Sequence, residues 1–181
     1  MKKYLNILVI YIICLMIFNN GYYPFIPTIP VYTDNNREII ILKQIINNRT
    51  KKDEEFFHLT NKSVVYAFKP HVDISIQELF KIEVEPVYII LFFKYLINRA
   101  RPAQVDKNIH PIDISTAQTP AFPAGHAYQA YYLSKKLSLI YPEKRELFYK
   151  LAIKCDETRV KAGLHYPSDG RFARKLVDLI K

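Results

Sequence analysis

Apolar residues along this chain fall in blocks that suit helices, and no segment shows the alternation of a half-buried strand. Residues 39–46 are rich in Ile and Leu and stop at Asn47-Asn48, which predicts a helix starting near Arg37. Thr50-Lys51-Lys52-Asp53 has the form of a capping box, with Asp in place of the usual Glu, and predicts a short helix through Phe56 and Phe57. Ser75-Ile76-Gln77-Glu78 is a second capping box and opens a helix carrying Leu79 and Phe80. Pro86 suits the first turn of the next helix, which runs apolar through residues 88–93 and then meets Lys94. That helix should end near Ala100, because a residue that precedes proline is biased away from helical angles. Helical pattern returns over residues 125–141, 143–160 and 167–180, with breaks at Pro142 and Gly163. The expected fold is all-α, a single-domain helical bundle of six or seven helices over residues 37–181.

Two stretches do not fit helices. Residues 22–36 carry Pro24, Pro27 and Pro30 among Asn, Tyr and Thr, and read as an extended arm. Residues 102–122 are of mixed polarity with prolines at 102, 111 and 120, and read as a long loop of the kind that often carries function. At the other end, Met1-Lys2-Lys3 precedes an apolar run from Ile7 to Phe18. A basic start and a short apolar core give either a signal peptide or an uncleaved N-terminal membrane anchor over residues 1–21. The run is short for a full bilayer span, and only Gly21 is small near a cleavage point. A buried first helix is the plainer alternative. Under either leading reading Lys2 and Lys3 stay on the cytoplasmic side, and the domain is exported or held on a single-pass anchor outside the cytoplasm.

The chain of 181 residues suggests one domain, and half of its residues are apolar, enough for a core. Its formal charge of +9 admits three partners: nucleic acid, an anionic membrane surface or a phosphorylated substrate. No Lys/Arg run is longer than two residues, which speaks against nucleic acid. Cys14 and Cys155 are far apart, so neither a disulfide framework nor a paired-cysteine metal knuckle is expected, and Cys155 reads as a small buried hydrophobe.

Candidate chemistry gathers in three segments. Lys94 and Arg101, seven residues apart, would point roughly the same way on one helix; the Lys94 stem would be buried and the Arg101 fork matches phosphate oxygens. Pro123-Ala124-Gly125-His126 precedes a helix, whose free N–H groups form an anion site. Gly125 would let the backbone approach a ligand, and His126 could give a proton to a leaving oxygen. Arg159 can complete a cationic cage. His165 lies four residues before Asp169, where a carboxylate on one ring nitrogen leaves the other as a nucleophile. Each segment alone fits a bland account: solvated cations, an ordinary helix start, an Asp in a first helical turn.

Together, Lys-x6-Arg-Pro, Pro-x-Gly-His and Arg-x5-His-x3-Asp closely resemble the type 2 phosphatidic acid phosphatase superfamily, which groups class A acid phosphatases, lipid phosphate phosphatases and vanadium haloperoxidases. The resemblance spans residues 94–169, with weaker likeness around residues 56–60 and 63–68. It implies a phosphomonoester hydrolase working through a phosphohistidine, with no metal and no other cofactor. Lys94, Arg101, Arg159 and the Gly125 N–H would hold the phosphate; His165 would attack phosphorus, oriented by Asp169; His126 would protonate the leaving alcohol. Two positions depart from the pattern: Ala124 stands where the family usually has Ser, and Thr158 replaces the Ser before Arg159. The substrate could be a soluble phosphomonoester or a lipid phosphate. A haloperoxidase using the same cage, a phosphate-binding protein with weak or no turnover, and a basic membrane-surface module are the alternatives, and the oligomeric state stays open.

Overall fold

The structure, a computed structural model, describes residues 33–180 and, before them, only Asn6, residues 9–11, Ile13 and Cys14, which are helical. The signal peptide or anchor expected over residues 1–21 otherwise lies outside the described residues, as does the arm expected over residues 22–36 up to residue 32; its last two residues, Asn35 and Asn36, are helical instead of extended. Among the described residues there is no strand, and no helix is long and apolar enough to cross a membrane.

Among the described residues from 33 on, nine α-helices follow in chain order: α1 (Asn35–Asn47), α2 (Lys51–Asn61), α3 (Val65–Phe68), α4 (Ile76–Val84), α5 (Val87–Ile97), α6 (Pro102–Val105), α7 (Gly125–Ile140), α8 (Arg145–Lys161) and α9 (Pro167–Leu179). Two of them, α3 and α6, are single turns, so the bundle is built from seven longer helices. The expected all-α class is what the chain adopts.

Local signals explain most of the helix starts. Thr50 and Asp53 form the reciprocal capping box of α2, and Ser75 and Glu78 that of α4. Asp34 caps α1 by accepting from the N–H groups of Asn36 and Arg37, so α1 begins at Asn35, two residues before the expected start. The end of α5 differs more. It stops at Ile97, because Asn98 turns into the left-handed region with φ 55°, a conformation that Asn tolerates. Arg101 is therefore not on the helix that carries Lys94. The long loop after it keeps one helical turn, α6, and is otherwise irregular.

Helix α7 is the axis of the bundle. It packs against α8 and α9 and is also touched by α4 and α5. Tyr128, Leu133 and Leu137 on α7 are fully buried with Phe148 and Ala152 of α8, Leu79 of α4 and Ala173 of α9. Cutting one such side chain, Leu133→Ala, should cost about 2–5 kcal/mol, since a packed core cannot fully close the cavity. A smaller apolar cluster of Ile39, Leu42, Ile109, Ala121, Val160 and Tyr166 ties α1 to α8 and to the loop. This second cluster sits behind the segment that carries His165, and it fixes the start of α9 against α1.

Candidate active site

The start of α7, the end of α8, the turn into α9 and the segment after α5 meet at one place. Gly163, at φ 78°, makes the turn out of α8 and lets the chain present His165 just ahead of α9. His165 and Asp169 are then four residues apart across the first turn of α9. The His165 Nδ1 lies 3.0 Å from the Asp169 Oδ2, and both residues are buried. On the other side of the ring, the Arg101 Nη1 lies 2.9 Å from the His165 Nε2. A guanidinium can only donate, so Nε2 is an acceptor and the ring proton is on Nδ1, given to Asp169. The free lone pair of His165 therefore points at the cations.

Those cations are held by backbone. Arg101 donates through Nε to the carbonyl of Thr119 at 2.9 Å and through Nη1 to that of Leu164 at 2.9 Å. Lys94 is buried and donates to the carbonyl of Pro120 at 2.5 Å. The left-handed turn at Asn98, not a shared helix face, brings Lys94 and Arg101 to the same loop segment. Arg159 is fully buried; it donates to the Asn61 Oδ1 at 2.9 Å and the Thr60 Oγ1 at 3.0 Å, and stacks over the Phe57 ring. Its Nε is buried with no hydrogen-bond partner.

The start of α7 supplies backbone donors. Ala124 is the N-cap and offers no side-chain cap, so the amides of Gly125, His126 and Ala127 have no intrahelical acceptor. A Cβ built on Gly125 would sit 3.6 Å from the Lys94 Cε, which places this turn directly against the lysine. His126 is half-buried, and its Nε2 lies 2.9 Å from the Asn61 carbonyl. A carbonyl only accepts, so Nε2 carries the proton and Nδ1 is left for other partners.

Electrostatics follow from this geometry. Burial, then the charges of Arg101, Lys94 and Arg159, push His165 well below an ordinary histidine. Burial, then the Arg159 charge, does the same to His126, against the pull of the Asn61 carbonyl. Lys94 is pushed well down by burial and by Arg101, and Arg159 is lowered by burial to about 10. Burial raises the Asp169 carboxyl, opposed by Arg99 at 2.6 Å and by the Tyr166 N–H at 3.0 Å. Cys155 is buried and its thiol is raised to about 12 by burial, which makes it a packing residue.

All seven residues singled out from sequence thus lie in or beside one cluster. Three more that the sequence did not single out belong to it. Arg99 and Glu38 are buried behind Asp169, and Asn61 links Arg159 to His126. Among the buried residues, the cations Lys94, Arg99, Arg101 and Arg159 gather with the carboxylates Glu38 and Asp169, while a third buried carboxylate, Glu83, is taken up by the Ser63 hydroxyl and the Val64 N–H. Cationic side chains thus outnumber the carboxylates in contact with them, an arrangement that suits an anion. Among the described residues, no three His, Cys, Asp or Glu side chains converge as metal ligands.

A family model described as PAP2 superfamily matches residues 85–174, which take in all three motif segments. No curated protein matches the chain.

Proposed function

This chain belongs to the PAP2 superfamily through residues 85–174, a superfamily of phosphatase activity, and from that premise we propose that it hydrolyses phosphomonoesters through a phosphohistidine on His165, without a metal. The observation that carries the reading is the His165 ring: Asp169 on Nδ1, a lone pair on Nε2, and fixed cations around that lone pair. Phosphate oxygens replace the neutral carbonyl acceptors that now hold Lys94 and Arg101, and reach the unpartnered Arg159 Nε and the free amides at the start of α7. A charged acceptor wins that exchange over a neutral one. The reaction then needs mainly position and charge neutralisation.

In the first step the Nε2 lone pair of His165 bonds to phosphorus while the bond to the leaving oxygen breaks. His126, as imidazolium, gives its Nδ1 proton to that oxygen and keeps Nε2–H on the Asn61 carbonyl. Asp169 balances the positive charge that grows on the His165 ring. In the second step His126, now neutral, takes a proton from water as the water oxygen bonds to phosphorus. The P–N bond breaks and inorganic phosphate leaves. Water-soluble phosphomonoesters are the preferred substrates in this reading, with lipid phosphates second, because the apolar run of α5 is interrupted by the buried Lys94. Export or tethering through residues 1–21 belongs to the same proposal, on the strength of Lys2, Lys3 and the apolar run that follows; cell fractionation with the domain found only in the cytoplasm would contradict it.

The test is phosphate release from p-nitrophenyl phosphate and from a short-chain phosphatidic acid, with chelator present, beside His165→Ala. Chelator-resistant turnover that the variant abolishes supports the reading, and the ratio of the two rates ranks the substrate classes. Turnover retained in His165→Ala overturns the assignment of the nucleophile.

A further inference from the structure

Behind Asp169, on the side away from the phosphate cage, the chain buries a second charged group with unusually complete contacts. Arg99 is wholly shielded from solvent. Its Nη1 donates to the Asp169 Oδ1 at 2.6 Å and to the Ser168 Oγ at 2.7 Å. Its Nη2 donates to the Glu38 Oε2 at 2.8 Å and to the Thr33 carbonyl at 3.2 Å, and its Nε to the Asn35 Oδ1 at 2.9 Å. The guanidinium plane lies over the Tyr166 ring, 3.7 Å from its centroid. Glu38 in turn accepts from the Ser168 N–H at 2.9 Å through Oε1, and from the Ser168 hydroxyl through Oε2. Helix α1 thus reaches the first turn of α9 through one arginine and one glutamate.

We propose that Arg99, set by Glu38, is a positioning residue for the reaction: it fixes the Asp169 carboxylate on His165 and so selects Nε2 as the attacking nitrogen. The inference rests on His165 being the nucleophile. Asp169 has two oxygens with separate tasks. Oδ2 takes the Nδ1–H of His165 and the Tyr166 N–H, while Oδ1 is held by Arg99. Without that hold on Oδ1 the carboxylate is free to rotate, and it loses the counter-charge in contact with it. Glu38 has the opposite sign and sits across the same guanidinium. It orients Arg99 and also draws on its charge.

The charged and titratable groups around the His165–Asp169 pair are Arg99, Arg101 and Lys94 from the α5 side, His126 from α7, Arg159 and Asp156 from α8, Glu38 from α1 and, in contact with Glu38, Arg171 on α9. Changing one of them moves the proton affinity of the pair with a definite sign. The reaction needs the pair with His165 neutral and Asp169 ionised, so its proton affinity sets the acid limb of the pH profile. Removing the Arg99 charge raises that affinity and moves the acid limb up, by about 1–3 pH units for a carboxylate losing a contacting arginine. Removing the Glu38 charge lowers the affinity and moves the limb down by less. A clamp that only holds α1 to α9 gives no reason for opposite displacements.

The experiment uses the full chain with 15N-labelled histidine. Glu38→Gln keeps the shape of the buried side chain and a carbonyl acceptor. The double variant Glu38→Gln/Arg99→Met removes both charges together, so that Glu38 is not left buried and unpaired. Expected in the double variant are an acid limb of kcat/KM at higher pH, a kcat about 10²-fold lower from misplaced reacting groups, and a KM near the parent value. Arg99→Lys should return the limb toward its original position, with kcat only partly restored. The His165 signals should show the Nδ1–H form in the parent chain and a mixture of tautomers in the double variant. An acid limb and tautomer unchanged in a folded double variant overturn the proposal. If the double variant does not fold, Glu38→Gln decides alone: a limb displaced to lower pH supports it, and a limb unmoved or displaced upward overturns it. If the parent chain has no phosphatase turnover, the reading of the site has failed, and the tautomer measurement still decides whether Arg99 directs the His165 proton.

Discussion

Ala124→Ser should make this chain more stable and faster. Ala124 is the fully buried N-cap of α7, with extended angles of φ −69° and ψ 113°. No side chain accepts from the first turn of α7. A serine hydroxyl at this position can accept from the Ala127 N–H, as N-cap serines do, for a gain of about 1 kcal/mol within a range of roughly 0.5–2. The same hydroxyl has a proton to give. Gly125 follows directly and lies against Lys94, so a phosphate bound there is within reach of position 124. A hydrogen bond to a charged group contributes about 1.5–3 kcal/mol. Realised in the transition state, that is about 10–150-fold in kcat/KM. The assay is kcat/KM on p-nitrophenyl phosphate, beside urea unfolding monitored by circular dichroism. Both quantities should rise. A stability gain of about 1 kcal/mol with kcat/KM unchanged would refute the placement of this helix start at the phosphate. A loss of stability would mean that the pocket around Ala124 has no room for one oxygen, and that the cap is closed by packing.

Three further outcomes follow from the same geometry. The kcat/KM profile should be bell-shaped and lie on the acid side, because His126 must be protonated while burial and Arg159 hold it well below the ordinary 6.5, and His165, also pushed well down, stays neutral into acid; a flat profile from about pH 4 to 9 would contradict the pair. Gly125→Ala should fold normally, since its new Cβ meets only Lys94 and Ile90 at ordinary contact distances of 3.6 and 3.9 Å, yet should weaken competitive inhibition by inorganic phosphate if the amide approach matters; inhibition unchanged would remove Gly125 from the site. Gly170→Ala should destabilise by about 1–3 kcal/mol, because its Cβ would fall 1.8 Å from the Asp156 Oδ1 in packed interior; a midpoint in urea equal to the parent's would show that Asp156 moves aside freely.

What could be read in advance was local. The capping boxes at Thr50 and Ser75 marked two helix starts because each is complete within four residues. The three motif segments were recognisable because each keeps its chemistry within a short stretch, residues 94–102, 123–126 and 159–169. The turn at Asn98 was not foreseen: the residues around it favour continuing α5, and the left-handed conformation shows only where the chain meets the loop at 119–121, through Lys94, Arg101 and the Ala121 N–H on the Arg99 carbonyl. Arg99, Glu38 and Asn61 were missed for a related reason. Glu38 is 61 residues from Arg99, and Asn61 is 98 residues from Arg159. No periodicity carries such pairings. The one local hint was a second arginine two residues before Arg101, at the end of an otherwise apolar helix. The region around Asn61 was flagged only by the weaker likeness on either side of it.

The central claim is the covalent bond between His165 and phosphorus, and the most direct measurement is to look for it. The full chain, mixed with 32P-labelled substrate and quenched in alkali within milliseconds, should carry label in a bond stable to base and labile to acid, as a phosphoramidate is. Peptide mass mapping should place it on the segment containing His165, and His165→Ala should carry none. Rapid turnover with no trapped label in the parent chain, or label that survives in His165→Ala, would contradict the account.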